Sequence, residues 1–170
     1  ILIKDATALE RLRRIDTLVT DKTGTLTIPN KEVDFTKADS LPLEARERLK
    51  PNAHEAMSQL QAEGIDVWMM SGDKEEAAAF WAAKAGIPHF KSGCVPNDKE
   101  EKVRELQANG RTVAMIGDGI NDTQALALAD VSIAIGSGVD VAMDVAQVTL
   151  MTDDLSALPE AVKLSKKTVR

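Results

Sequence analysis

Short apolar runs alternate with helix-like stretches along most of this chain, and several of the runs end in clusters of glycine, hydroxyl and acidic residues. Asp16–Thr20, Asp66–Met70, Thr112–Ile116, Val131–Ile135 and Gln147–Met151 read as strands, with a shorter one near His89–Lys91. Between them, Asp5–Arg14, Asn52–Ala62, Lys74–Ala85, Lys99–Gln107, Asn121–Ala129 and Val139–Val145 read as helices. Leu9, Leu12 and Ile15 are spaced for one helical face. Pro51 suits the opening of a helix, where its missing N–H is not needed. Gly64, Gly86 and Gly110 close the helices before them. Strands that are apolar throughout belong to parallel sheets covered on both faces. The expected fold class is therefore α/β, a doubly wound, Rossmann-like parallel sheet with helices on both sides.

In such sheets chemistry collects beyond the carboxyl ends of the strands. Asp21, Ser71, Asp118 and Asp122 all fall at or just past those ends. The run Asp21-Lys22-Thr23-Gly24-Thr25-Leu26-Thr27 places one carboxylate at the tip of a buried strand, before a turn rich in hydroxyls. A carboxylate held this way can attack phosphorus and become an aspartyl-phosphate. The plain alternative, a polar loop after a strand, does not account for the groups downstream.

Phosphoryl transfer through an aspartate needs a metal, a cation near the transferred group, and donors for the equatorial oxygens. Asp118 is the best metal ligand, in Gly117-Asp118-Gly119-Ile120-Asn121-Asp122. Magnesium is the expected ion, since it takes hard oxygen ligands and keeps waters and phosphate. Asp118 and Asp122 would repel each other unless a cation lay between them. Asn121 and Asp122 are expected around the metal or the phosphate. In Ser71-Gly72-Asp73, the serine hydroxyl can bind a phosphoryl oxygen, and Asp73 is expected to cap the following helix. Lys99 supplies a point charge suited to phosphate. Lys102, one turn on, is its rival.

Together these motifs resemble the haloacid dehalogenase superfamily and, within it, the P-type ATPases. The resemblance covers about residues 1–27 and 51–170. It implies one discontinuous phosphorylation domain, with residues 28–50 a short insert where an ATP-binding domain belongs. It also implies that Asp21 is phosphorylated, and that Mg²⁺ is bound by Asp21, Asp118 and the Thr23 carbonyl. Lys22, Thr23, Gly24, Ser71, Gly72, Lys99 and Asn121 then surround the phosphoryl group, with Asp122 completing the metal site. The opening Ile1-Leu2-Ile3-Lys4-Asp5-Ala6 and the stretch Val131–Leu150 are similar to the heavy-metal-transporting, copper-type branch. A parent protein of that kind takes ATP as phosphate donor and carries its metal ion through membrane helices, with this domain in the cytoplasm.

Thr23 stands where superfamily phosphatases usually have an aspartate that activates water, a general acid–base contribution of roughly 10²–10⁴ in rate. A threonine cannot do this at neutral pH, so the phosphoenzyme should persist, as a pump requires. Serine at 71 replaces a usual threonine and keeps the hydroxyl. Ser132 replaces a usual glycine. In the insert, Glu32–Thr36 is expected to be extended and Leu43–Leu49 helical; no Gly-rich nucleotide loop or Walker-type motif is present. Two other readings stay open: a stand-alone magnesium-dependent phosphatase, favoured by the short insert, and a non-catalytic regulatory remnant.

A chain of 170 residues suits a single domain. A formal net charge of −6 argues against nucleic acid as a partner. The single cysteine, Cys94, rules out an internal disulfide and Cys-based zinc sites, and suits a reducing, cytosolic setting. No apolar run approaches the roughly 20 residues that cross a bilayer. The basic stretch Lys163–Arg170 and the absence of an initial methionine carry the expectation that both ends lead into membrane helices. His54, His89, Met69, Met70, Trp68 and Trp81 are expected to pack rather than bind a metal or bases. Gly136-Ser137-Gly138 is expected to form a turn at the sheet edge.

Overall fold

A computed structural model of the chain describes residues 2–3, 5–30, 32, 40–117, 123–135, 146–150, 152 and 154–168. An interior strand of its main sheet, β2 (Thr17–Asp21), follows β1 (Leu2–Ile3) and α1 (Ala6–Arg14). Next come β3 (Thr27–Pro29), α2 (Leu43–Arg46), β4 (Glu47–Leu49), α3 (Ala53–Ala62), β5 (Asp66–Met70), α4 (Glu75–Ala85) and β6 (His89–Lys91). The chain continues through α5 (Pro96–Ala108), β7 (Val113–Gly117), α6 (Thr123–Leu128), β8 (Val131–Ile135), β9 (Val148–Leu150) and α7 (Ala157–Thr168). Among the described residues the main sheet has seven strands in the order β1-β9-β8-β7-β2-β5-β6. All neighbours are parallel except the edge pair β1 and β9. The doubly wound α/β expectation is met.

Side-chain alternation sorts each strand into two cores. Leu18, Val67, Met69, Ala114 and Ile116 face one layer, where they meet Leu12 of α1, Ala56, Met57 and Leu60 of α3, Ala78 and Ala82 of α4, and Ala161 and Val162 of α7. Val19, Met70, Val113 and Met115 face the other, against Val103 and Leu106 of α5 and Ala125 and Leu126 of α6. Each fully buried leucine, isoleucine or methionine contributes about 1.5–3 kcal/mol. The buried residues of α3, Ala53, Ala56, Met57 and Leu60, follow the helical period. Met69 and Met70 are core residues, as expected. No helix among the described residues is long and apolar enough to cross a membrane.

Three local expectations are corrected. Pro51 does not open α3: Asn52 sits between them at φ 61°, a left-handed conformation that asparagine tolerates. The helix expected from Lys99 starts earlier, with Pro96 in its first turn and the Asp98 carboxylate accepting the Val95 N–H at 2.9 Å. The helix expected over Leu43–Leu49 stops at Arg46, whose guanidinium folds back onto the Leu41 carbonyl at 3.0 and 2.8 Å. Glu47–Leu49 instead pairs antiparallel with Thr27–Pro29 as a two-stranded stem. The expected extended piece Glu32–Thr36, apart from Glu32 itself in a turn, lies outside the described residues, as do helix Val139–Val145 and Gly136-Ser137-Gly138.

Candidate active site

Asp21 is the last residue of β2, directly beside Met70 of β5; Thr20 pairs with Ile116 of β7. Its carboxylate is 13% exposed and Oδ1 accepts a hydrogen bond from Lys99 Nζ at 2.8 Å. That lysine reaches it from the first turn of α5 and is itself buried. Lys102 is elsewhere: its ammonium lies 4.2 Å from the centre of the Trp68 ring, which also stacks on His89. Lys99 is therefore the cation at the strand tip.

Behind Asp21 the chain makes a tight turn around one oxygen. The Lys22 carbonyl accepts from the N–H groups of Thr25, Leu26 and Thr27 at 3.3, 2.9 and 3.1 Å. Gly24 permits the reversal with φ 81°, and its N–H donates to the Thr27 carbonyl at 3.0 Å. Thr23 stands exposed on this turn. The Thr25 hydroxyl is buried with no hydrogen-bond partner among the described residues. An orphaned buried donor of this kind suits a site that takes up water or an oxygen-rich ligand.

Ser71 follows β5 and is buried, its N–H on the Lys91 carbonyl at 2.9 Å and its own carbonyl accepting the Cys94 N–H at 2.9 Å. Its hydroxyl accepts the Asp73 N–H at 3.1 Å. A side chain on Gly72 would come within 3.3 Å of the Cys94 carbonyl, so glycine allows the two loops to approach. Asp73 does not cap α4, whose N-cap is Lys74 without a side-chain bond. Its carboxylate instead accepts the Lys22 ammonium. Burial pushes the Cys94 thiol up from its ordinary range, so it is not a reactive thiolate at neutral pH.

Lys22 is 1% exposed, and its Nζ also meets Glu47 Oε2 at 2.6 Å, on β4 of the stem. The other Glu47 oxygen accepts the Thr27 hydroxyl. Sequence reasoning gave Glu47 no role. Its partner lies 25 residues away, and no motif in the insert marks it.

The structure thus brings Asp21, Lys99, Ser71 and Gly72 to neighbouring strand ends and turns the Lys22 ammonium toward Glu47 and Asp73. Asp118, Asn121 and Asp122 lie outside the described residues; β7 ends one residue earlier, at Gly117, beside the strand that carries Asp21. The described residues alone contain no group of three His, Cys, Asp or Glu that could hold a metal. What they offer is one shielded carboxylate and main-chain oxygens, a donor set for a hard cation such as magnesium.

Comparisons with known proteins give the chain's family and fold relatives. The profile of one family, the haloacid dehalogenase-like hydrolases, matches residues 31–130. A probable copper-importing P-type ATPase A of Enterococcus hirae is 44% identical over 126 residues, covering 73% of this chain and 17% of that protein. Among solved structures, a zinc-transporting PIB-type ATPase in its E2.Pi state is similar at 25% identity with a TM-score of 0.81, over 98% of this chain and 43% of the other. The catalytic domain of the CPx-ATPase CopB-B is similar at 25% identity with a TM-score of 0.78, over 95% of this chain and 94% of the other. The chain thus spans under a fifth of the length of the curated relatives it matches.

Proposed function

The chain belongs to the haloacid dehalogenase-like hydrolases, and from that membership we propose that it is the phosphorylation domain of a heavy-metal, copper-type P-type ATPase, forming an aspartyl-phosphate at Asp21. One observation carries this reading. A shielded carboxylate at the tip of an interior strand, opening the run Asp21–Thr27, is paired with a buried lysine at 2.8 Å.

In the proposed reaction an Asp21 oxygen attacks the terminal phosphorus of ATP. A P–O bond forms to Asp21, the bond to the leaving ADP oxygen breaks, and a later attack of water on phosphorus returns the free carboxylate and inorganic phosphate. Lys99 keeps positive charge beside the incoming phosphoryl group, where preorganised donors stabilise the transition state without reorganisation. The Ser71 hydroxyl and the Thr23 amide supply donors around its oxygens, while Gly24 sets the turn with its own N–H on the Thr27 carbonyl and Gly72 lets the neighbouring loop approach. Lys22 takes its place by shaping the turn. Magnesium, held by Asp21, the Thr23 carbonyl, Asp118 and Asp122, would neutralise charge on the transferred group. Thr23, lacking a carboxylate, leaves the phosphoenzyme without a built-in base for rapid hydrolysis.

On this reading residues 1–27 and 51–170 form the phosphorylation domain, on the cytoplasmic side of a membrane protein whose membrane helices carry the metal ion. Residues 28–50 replace an ATP-binding domain, so ATP should bind weakly while small phosphate donors still react. The same short insert favours a second reading, a stand-alone magnesium-dependent phosphatase acting on small esters. Incubation with acetyl phosphate and Mg²⁺, followed by mass spectrometry, tests both. A lasting phosphoryl adduct at position 21 is expected. Steady release of phosphate from a monoester, without a lasting adduct, would transfer the assignment to the phosphatase. No adduct and no release would sink both.

A further inference from the structure

Lys22 is a hub twice over. Its carbonyl gathers the N–H groups of Thr25, Leu26 and Thr27, and its buried ammonium meets Glu47 at 2.6 Å as well as Asp73. Glu47 spans the turn from the other side: one oxygen takes Lys22, the other takes the Thr27 hydroxyl. A single carboxylate thereby ties together the first and last residues of the segment that follows Asp21. Through Asp73, whose N–H donates to Ser71 Oγ at 3.1 Å, the same chain of contacts reaches the phosphate-facing loop after β5. Three segments far apart in sequence are joined at one enclosed ammonium.

Strand alternation explains why this cluster does not compete with the chemistry. Asp21 turns toward Lys99 on the α5 side, so Lys22, the next residue, projects to the opposite layer, beneath the β3–β4 stem. The Lys22 ammonium is therefore unavailable to the substrate and available as a tether. We infer that Glu47 is a positioning residue for phosphoryl transfer: by holding Lys22 and Thr27 together it sets the turn that presents Asp21, Thr23 and Gly24. The inference rests on the proposed phosphorylation of Asp21 and adds to it a residue that never touches the phosphoryl group.

A merely structural ion pair and a positioning one differ in what they move. Glu47→Ala and the gentler Glu47→Gln are compared with Glu44→Gln, which removes a carboxylate paired at the surface with Lys84 at 2.7 Å. Phosphorylation by acetyl phosphate is followed against donor concentration and corrected for the folded fraction. The expected result is a maximal rate lowered about tenfold in Glu47→Ala and less in Glu47→Gln, with half-saturation unchanged, because a misplaced turn costs rate rather than donor binding. Glu44→Gln should match the unaltered protein. In parallel, amide hydrogen exchange across 22–27 should quicken in the Glu47 variants alone. Unchanged exchange across that segment, or an unchanged rate per folded molecule, would overturn the inference. Absence of any adduct in the unaltered protein would instead remove the phosphorylation reading, and the exchange measurement would still decide whether Glu47 sets the turn.

Discussion

The two ends of the main sheet use the same kinds of residue to different effect. At the amino end, Arg111 bridges the starts of three strands. Its Nε donates to Thr17 Oγ1 at 2.8 Å, and its guanidinium meets the carboxylates of Asp16 and Asp66. Asp16 adds a bond from the Thr112 N–H at 3.0 Å. These side chains are open to water, 35% exposed for Arg111, 42% for Asp16 and 58% for Asp66. At the carboxyl end, Asp21 with Lys99 and Lys22 with Glu47 and Asp73 are also acids beside cations, but both lysines are enclosed. In water such a pair is a mild fastener. Enclosed, the same pair fixes geometry and raises the cost of removing one member. Burial, more than residue type, separates the end that holds the sheet from the end equipped for chemistry.

Breaking the carboxyl end should cost most. Asp21→Asn is expected to abolish phosphoryl adduct formation, a loss of about 10⁴-fold or more; adduct mass spectrometry reads it, with circular dichroism confirming that the variant is folded. An adduct at unaltered yield would remove the distinction between the two ends. Lys22→Met should strand two carboxylates around an apolar chain and lower stability by about 3 kcal/mol, the low end for a broken buried pair because Asp73 keeps contact with water. Urea unfolding measures this. Lys99→Ala should slow adduct formation about 10²-fold, as loss of one transition-state donor does, while the folded protein persists in circular dichroism. Arg111→Met should cost at most about 1 kcal/mol. That cost should shrink further in 0.5 M salt, at about the concentration where exposed charges are screened over a few ångströms. If Arg111→Met destabilised as much as Lys22→Met, burial would not be what divides the ends.

The main sheet was largely legible in the sequence because its strands are continuous apolar runs bounded by turn residues. Asp66–Met70, His89–Lys91 and Val131–Ile135 have the expected bounds. Asp21 and Ser71 were legible together because each stands at or just past the end of a strand, whereas Lys99 reaches them from the first turn of α5 and was named only for its charge. The stem was not. Glu47-Arg48-Leu49 has neither period, and its strand character comes from pairing with Thr27–Pro29, a contact across a long sequence gap. Asp73 misled for a physical reason: an aspartate just before a helix is a good cap, and only the fold shows that a buried ammonium claims it. Local rules see the neighbours in sequence, and here the partner is 51 residues distant.

The stem has one more implication. Residues 30 and 46 are joined by a hydrogen bond from the Asn30 N–H to the Arg46 carbonyl at 2.8 Å, so the chain leaves and returns through a gap of about 5 Å, the spacing of paired antiparallel strands. Any folded cassette whose own termini lie close together, as most domains' do, could be spliced into that gap without pulling on the sheet. Excising it again would leave a short bridge between two anchors already in register. The molecule carries, in effect, a socket whose rim stays the same whatever is plugged into it.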